Sequence, residues 1–459
     1  MRRAANHLLV ELSETAKVAW PVVLTQLGQV AMMTTDLALI GHIGAKAVAA
    51  AALAGKIYVG SILVGTGLLA AIAPSVAQAF AADDLGLVRR SLGVGLWAAL
   101  ALSIPITLLT LHCESMFLVL GQSPDVARLA QQYLFGLVFG CAPALCFIAI
   151  RNYMGAVKRA EPAMWITIMA VPLNALLGYL LIYGKLGLPR QELFGAGLAT
   201  TLVNYAVFLA GFWMLRNDRV VSFFWQFDWS LMRRLFVIGI PISITFLIEY
   251  GISCATAVLM GLISTKALAA HQIAFQVATI LFVIPSGVST AATVRVSYAI
   301  GRKDALGVKK AGLAAILLAF AIVAYVALGV IAARRQIAEF FLDGSADEAN
   351  ATVELAAQLL LVSVGSFVAA AVCSTASASL RGLEDTRMPI LFACIANWGI
   401  GFSLSYMLAF KTSLGAAGVW IGSCVGMTVY ATLLVLRFQL LTSRLTLRNQ
   451  PFLSRNTDL

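Results

Sequence analysis

A chain of 459 residues that is 61% hydrophobic and 12% charged is no soluble globular protein, which would carry about a quarter of its residues charged. Mean hydropathy of +0.91 and recurrent apolar runs of about 20 residues predict membrane-spanning helices, because lipid satisfies backbone groups only in helices or closed barrels. The alternating segments of a barrel are absent, and the net charge of +11 lies in short loops, which fits positive-inside orientation and excludes a nucleic-acid surface.

The chain opens Met1-Arg2-Arg3, but Glu11 and Glu14 interrupt the apolar core that a signal peptide needs. Residues 5–17 therefore read as an interfacial helix with no cleaved leader. The first span follows, with Pro21 near its start and Asp36 near its end. A carboxylate at that depth costs roughly 2.5–3.5 kcal/mol on insertion scales, so it is retained for a partner, an ion or a proton. Twelve spans are expected, centred near residues 28, 63, 101, 141, 172, 203, 247, 283, 319, 367, 398 and 426. Even-numbered loops and the two ends hold 23 Lys and Arg against 8 in odd-numbered loops, with Lys56 inside a span. Both termini are therefore expected in the cytoplasm, in a cell inner membrane.

The first span recurs. A shift of 220 residues lays Pro21 on Pro241, Gly41 on Gly261, Lys46-Ala47 on Lys266-Ala267, Gly67 on Gly287 and Asp84 on Asp304. At the back of each half, Gly155 and Pro162 match Gly382 and Pro389 at a shift of 227. The expected fold is an all-α polytopic membrane protein, its twelve transmembrane helices in two six-helix pseudo-symmetric bundles. The bundles are assigned to 1–214 and 234–440, joined by a basic, aromatic cytoplasmic linker at 215–233 and followed by a cytoplasmic tail at 441–459. Six spans per half give both copies one orientation, the architecture of transporters that rock two repeats about a midplane cavity.

Asp36 and Glu249 are the carboxylates placed well inside spans. In the repeat register Glu249 falls on Gln29 and Asp36 on Thr256, so the two acids are not duplicates. Either could be a buried acid bonded to hydroxyls and amides; a titrating acid in a water-lined cavity is the preferred reading. Lys56 is read as snorkelling to the outer interface rather than pairing with Asp36. His271 is read as a hydrogen-bonded packing residue rather than a proton relay. Asn174, Asn204 and Asn397 are intramembrane amides able to bridge helices, and Gly136-x-x-x-Gly140 suggests a close helix contact. Pro21 and Pro241, at equivalent places, suggest bends that gate, or else fixed kinks. Seven cysteines without metal-like spacing read as packing residues. No His-Glu-x-x-His, Gly-x-Ser-x-Gly or P-loop occurs, so neither an enzyme nor a nucleotide-driven pump is expected.

Four motifs together carry a resemblance that covers essentially the whole chain. They are Pro21 with Asp36 fifteen residues on, Ala269-Ala-His-Gln-Ile-Ala274, Ser379-Leu-Arg-Gly382 with Asp385, and Leu414-Gly-Ala-Ala-Gly-Val-Trp-Ile-Gly422. In these the chain resembles the multidrug and toxic compound extrusion transporters, nearest their NorM-like bacterial branch. The resemblance implies cation-coupled antiport that exports amphipathic, often cationic organic compounds. It implies that Asp36, Asn174 and Thr200 match positions binding the coupling ion, and that Glu249 matches an acid of the second half. The chain departs from the family at Gly178, often Asn or Asp, at Ala370, the usual partner acid of Glu249, and at Ser366, often tyrosine. Sodium needs several oxygen ligands to replace its hydration, so these losses favour protons as the coupling ion. No resident cofactor or metal is expected; the partners are small amphipathic substrates and the lipid bilayer, and the protein is expected to be a monomer. A lipid-linked precursor flippase of the same superfamily is the alternative, although such proteins usually carry fourteen spans and a cationic cavity.

The charge count fixes a topology that reporter fusions can check. Fusions after residues 86, 157, 225, 303 and 384 should report the cytoplasm, and those after 45, 188, 265 and 412 the outside. A consistent inversion would reject the orientation.

Overall fold

The computed structural model describes residues 2–119, 121–187, 189–216, 227–341 and 347–448, and these form helices without strands. The first half contains α1 (Arg2–Gly41), α2 (Ala45–Leu69), α3 (Ile72–Ala81), α4 (Leu85–Leu111) and α5 (Cys113–Val119). It continues with α6 (Pro124–Val138), α7 (Cys141–Ala156), α8 (Ala160–Tyr183) and α9 (Glu192–Arg216). The second half contains α10 (Trp229–Ile263), α11 (Thr265–Gly301), α12 (Ala305–Phe341) and α13 (Asp347–Gly382). A last hairpin has one leg built of α14 (Arg387–Ala393), a π-helical segment (Cys394–Phe402) and α15 (Ser403–Phe410), and the other of α16 (Gly415–Arg448). Eleven helices or helix runs among the described residues are long and apolar enough to cross a membrane, and α6 with α7, bent by 51°, makes a twelfth.

Residues 5–17 are helical, but as the first turns of α1 rather than a separate interfacial piece. Pro21 does not end α1, nor Pro241 α10. A proline inside a span costs one backbone hydrogen bond, and hydroxyls nearby can help compensate.

Contacts divide the chain inside these two helices rather than in the basic segment 215–233. One compact unit is Leu24–Leu247; the other comprises the described residues of Met1–Val23 and Ile248–Leu459. A 40-residue helix is about 60 Å long, twice the hydrocarbon thickness of about 30 Å, so its two segments need not share one partner. The glycines matched by the repeat show where the leading segments go. On α2, a Cβ at Gly67 would lie 2.5 Å from the Cα of Ser243 on α10; on α11, a Cβ at Gly287 would overlap Val23 of α1. Val23 and Ser243 are themselves 220 residues apart. Each leading segment therefore packs on the second helix of the other half, and the Ser243 hydroxyl seals one such contact by donating to the Val64 carbonyl at 2.7 Å.

The repeat also shows in helix capping: Asp84 accepts from the Leu87 amide at 2.9 Å, and Asp304 from the Gly307 amide at 2.8 Å. The span expected around residue 141 is broken there. At the break the Thr201 hydroxyl donates to the Gly136 carbonyl at 2.7 Å and the Asn204 amide to the Gly140 carbonyl at 3.4 Å. The two glycines let α9 come close enough for this, a Cβ at Gly136 meeting the Phe194 carbonyl at 2.6 Å.

Several arginines that the sequence suggests for loops lie within helices: Arg90 on α4, Arg151 on α7, Arg295 on α11 and Arg381 on α13. Arg90 finds an acid partner in Asp228 at 3.4 Å. Arg295 donates to the Glu11 carboxylate and the Thr15 hydroxyl of α1, and Arg437 to Asp385 at 2.8 Å. At the start of α10, the Ser230 hydroxyl foremost, with the Leu231 amide, holds the Asp228 carboxyl below its ordinary range. Residues 217–226 of the expected linker and 449–459 of the expected tail lie outside the described residues, whereas 441–448 complete α16.

Gly67→Ala should lower the thermal midpoint of the detergent-solubilised protein, since overpacking costs about 1–3 kcal/mol. Gly41→Ala, whose Cβ would meet nothing within 4 Å, is the control. Equal midpoints would count against the close approach of α2 and α10.

Candidate coupling sites in the two units

In the unit Leu24–Leu247, the second segment of α1 runs along α8. Gly28 faces Thr167, the Leu39 carbonyl accepts from the Tyr183 hydroxyl at 2.9 Å, and Leu39 closes over Gly178, where a Cβ would lie 2.7 Å from its side chain. A side chain at 178 would require the end of Leu39 to shift. Asp36 sits half-buried between these contacts. Thr200 on α9 donates to the Asp36 carboxylate at 3.2 Å, sharing its hydrogen with the Ala196 carbonyl at 3.3 Å. Asn174 on α8 is fully buried beside Asp36 and interacts with its carboxylate, although outside strict hydrogen-bond geometry. Asp36, Asn174 and Thr200, drawn from three helices, are thus brought together.

Two tyrosines join this cluster that sequence reasoning missed. Tyr133 on α6 lies within electrostatic range of Asp36, and Tyr58 on α2 lies close to Tyr133 and to Asn204. Both are apolar enough to pass as ordinary packing residues, and no spacing links them to position 36.

Glu249 lies in the other unit, on the second segment of α10. The π-helical segment runs beside it: the Trp398 indole donates to the Ile248 carbonyl at 3.3 Å, and Gly251 faces the same ring. Arg381 on α13 and Tyr430 on α16 lie within electrostatic range of the carboxylate. The Tyr430 hydroxyl and the Asn397 amide nitrogen are buried without hydrogen-bond partners. Glu249 therefore faces a cation belonging to the chain itself. Arg381 and Glu249 are some 130 residues apart, and no local signal in the sequence links them.

The remaining candidates fall elsewhere. Lys56 on α2 is exposed. His271 is 3% exposed, packs against the rings of Trp420 at 5.5 Å and Phe275 at 6.0 Å, and leaves Nδ1 without a partner. Pro21 and Pro241 stay inside continuous helices. Among the described residues no three His, Cys, Asp or Glu side chains converge as metal ligands, and the seven cysteines are free.

A duplicated bundle of membrane-spanning helices with isolated acids inside its spans defines a secondary-transporter type of membrane protein, not an enzyme. The MatE family model matches residues 21–180 and 241–407, one match beginning at each repeat-equivalent proline. The chain is 51% identical over 446 residues to "Probable multidrug resistance protein NorM" of Bradyrhizobium diazoefficiens, covering 96% of both chains. It is 49% identical to the protein of the same name from Rhodopseudomonas palustris, covering 94% of this chain and 92% of that one. A solved outward-facing multidrug resistance MATE family transporter of the MOP superfamily superposes with a TM-score of 0.86 at 21% identity, over 95% of this chain and 96% of that one. The chain belongs to the MatE family of multidrug and toxic compound extrusion transporters.

Thr200→Val keeps the shape of the side chain and removes its bond to Asp36. A hydrogen bond to a charged group is worth about 1.5–3 kcal/mol, so dye export should slow by about tenfold or more. Thr200→Ser should retain most activity; equal rates in the valine variant would remove Thr200 from the site.

Proposed function

We propose that this protein is a proton-coupled antiporter of the cell inner membrane. Acting as a monomer with both termini in the cytoplasm, it exports amphipathic, often cationic organic compounds by alternating access. The names of the curated relatives support a drug-like range of substrates. Asp36, Asn174 and Thr200 serve as the coupling site, with Glu249 as a second acid of the cycle and the bends at Pro21 and Pro241 as gating points. The intramembrane acids favour an exporter of cations over a lipid-linked precursor flippase.

The observation that carries the choice of proton is the poverty of ligands at Asp36. One hydroxyl reaches the carboxylate at 3.2 Å, Leu39 covers the position one turn beyond Asn174, and Glu249 in the other unit faces Arg381. Sodium leaving water needs several oxygens at once. A proton needs one carboxylate. A pH step of one unit supplies about 1.36 kcal/mol per proton, roughly a tenfold gradient of substrate.

In sodium-free inverted vesicles, an imposed proton gradient should therefore drive uptake of a cationic dye. Asp36→Asn, which keeps the shape but cannot titrate, should abolish that uptake with insertion intact. A requirement for sodium with no response to the pH step would overturn the proton reading; full activity of Asp36→Asn would remove Asp36 from coupling.

A further inference from the structure

We infer that the ends of α4 and α10 form a binding site for the phosphate headgroup of an anionic phospholipid. A concavity of about 730 Å³ opens there, lined by Arg90, Phe227, Asp228, Trp229, Ser230 and Arg233. It belongs wholly to the unit Leu24–Leu247 and uses none of the residues around Asp36.

The charge balance selects an anion. Among the described lining residues Asp228 is the one acid, and its carboxylate is committed. One oxygen accepts from the Ser230 hydroxyl at 2.6 Å, the Ser230 amide at 3.0 Å and the Leu231 amide at 3.2 Å. The other accepts from the Arg90 guanidinium at 3.4 Å, a long contact between half-exposed groups that positions the arginine without neutralising it fully. Arg233, exposed on the next turn of α10, makes no ion pair or hydrogen bond with a described residue. Two guanidiniums thus face one occupied carboxylate, which disfavours the organic cations proposed as export substrates and favours a phosphate, the group arginine matches best.

The apolar lining selects a lipid. Phe227 is 52% exposed and Trp229 70% exposed, large rings left uncovered beside the two arginines. Phe227 meets Trp97 of α4 edge-on at 6.4 Å and Trp229 at 6.2 Å, so an aromatic run leads from the body of the α4 span to the start of the α10 span. Trp229 is the first residue of one membrane-spanning run, and Arg90 stands five residues into another that begins at Leu85. The cavity therefore lies at the ends of two spans, at the level where aromatic belts and headgroups meet. Acyl chains can follow the aromatic side while the phosphate sits between Arg90 and Arg233. Basic groups at this level attract anionic lipid, each arginine contributing about fivefold in occupancy.

Native mass spectrometry of the purified full-length protein, offered equal amounts of phosphatidylglycerol and phosphatidylcholine with identical chains, tests this. The wild type should retain phosphatidylglycerol preferentially. Arg233→Gln, which removes no described contact, should cut that preference about fivefold, and the Arg90→Gln, Arg233→Gln pair should abolish it. Arg387→Gln, a basic residue outside the lining, should change nothing. Absence of preference in the wild type, or its survival in both variants, would overturn the assignment; if the double variant does not fold, Arg233→Gln alone decides. Displacement of the lipid by millimolar glycerol 3-phosphate would mean that the site takes soluble phosphate, and the lipid assignment would fall.

Discussion

In hydrocarbon a polar group that finds no partner inside the protein finds none at all. That constraint shapes this molecule from the helix upward. Hydroxyls in the spans fold back onto carbonyls one turn earlier, as Thr34, Thr66, Thr167 and Thr375 do at 2.8–2.9 Å. Where the backbone breaks between α6 and α7, Thr201 and Asn204 of a neighbouring helix bond to carbonyls at the bend. The buried groups left unsatisfied are few among the described residues, and two of them belong to residues beside the acids, Asn174 by Asp36 and Tyr430 by Glu249.

Duplication supplied the scaffold, and divergence supplied the two sites. The caps at Asp84 and Asp304, and the contacts of Gly67 with Ser243 and Gly287 with Val23, are the same devices used twice. The acids are not. Asp36 meets a hydroxyl and an amide, while Glu249 meets an arginine and a tyrosine beside a π-helical segment. A wide π turn is uncommon and recurs at functional positions; here it brings Trp398 onto the backbone one residue from Glu249. The two halves have one frame and two electrostatic characters.

The leading segments of α1 and α10 pack on the second helix of the other half. Each is one continuous helix whose leading and trailing segments belong to different units. The prolines sit within a turn or two of the division, where a missing hydrogen bond makes bending least costly.

The sequence by itself determined the class, the number of spans and the repeat, because hydropathy, proline, glycine and capping aspartate are local signals read along one chain. It pointed to Asp36, since a carboxylate amid apolar residues is conspicuous wherever it folds. Its grouping with Asn174 and Thr200 came through resemblance, and the structure sets Thr200 on its carboxylate. Tertiary structure alone decided the rest. In a pseudo-symmetric repeat each leading helix has two chemically similar helices it could pack on, and register cannot say which; the fit of Val23 and Ser243 against the bare backbones of Gly287 and Gly67 does. Tyr133 beside Asp36 and Arg381 beside Glu249 are likewise silent in sequence. Their partners lie about a hundred residues or more away, and electrostatics acts through distance in space, which only the packed helices define.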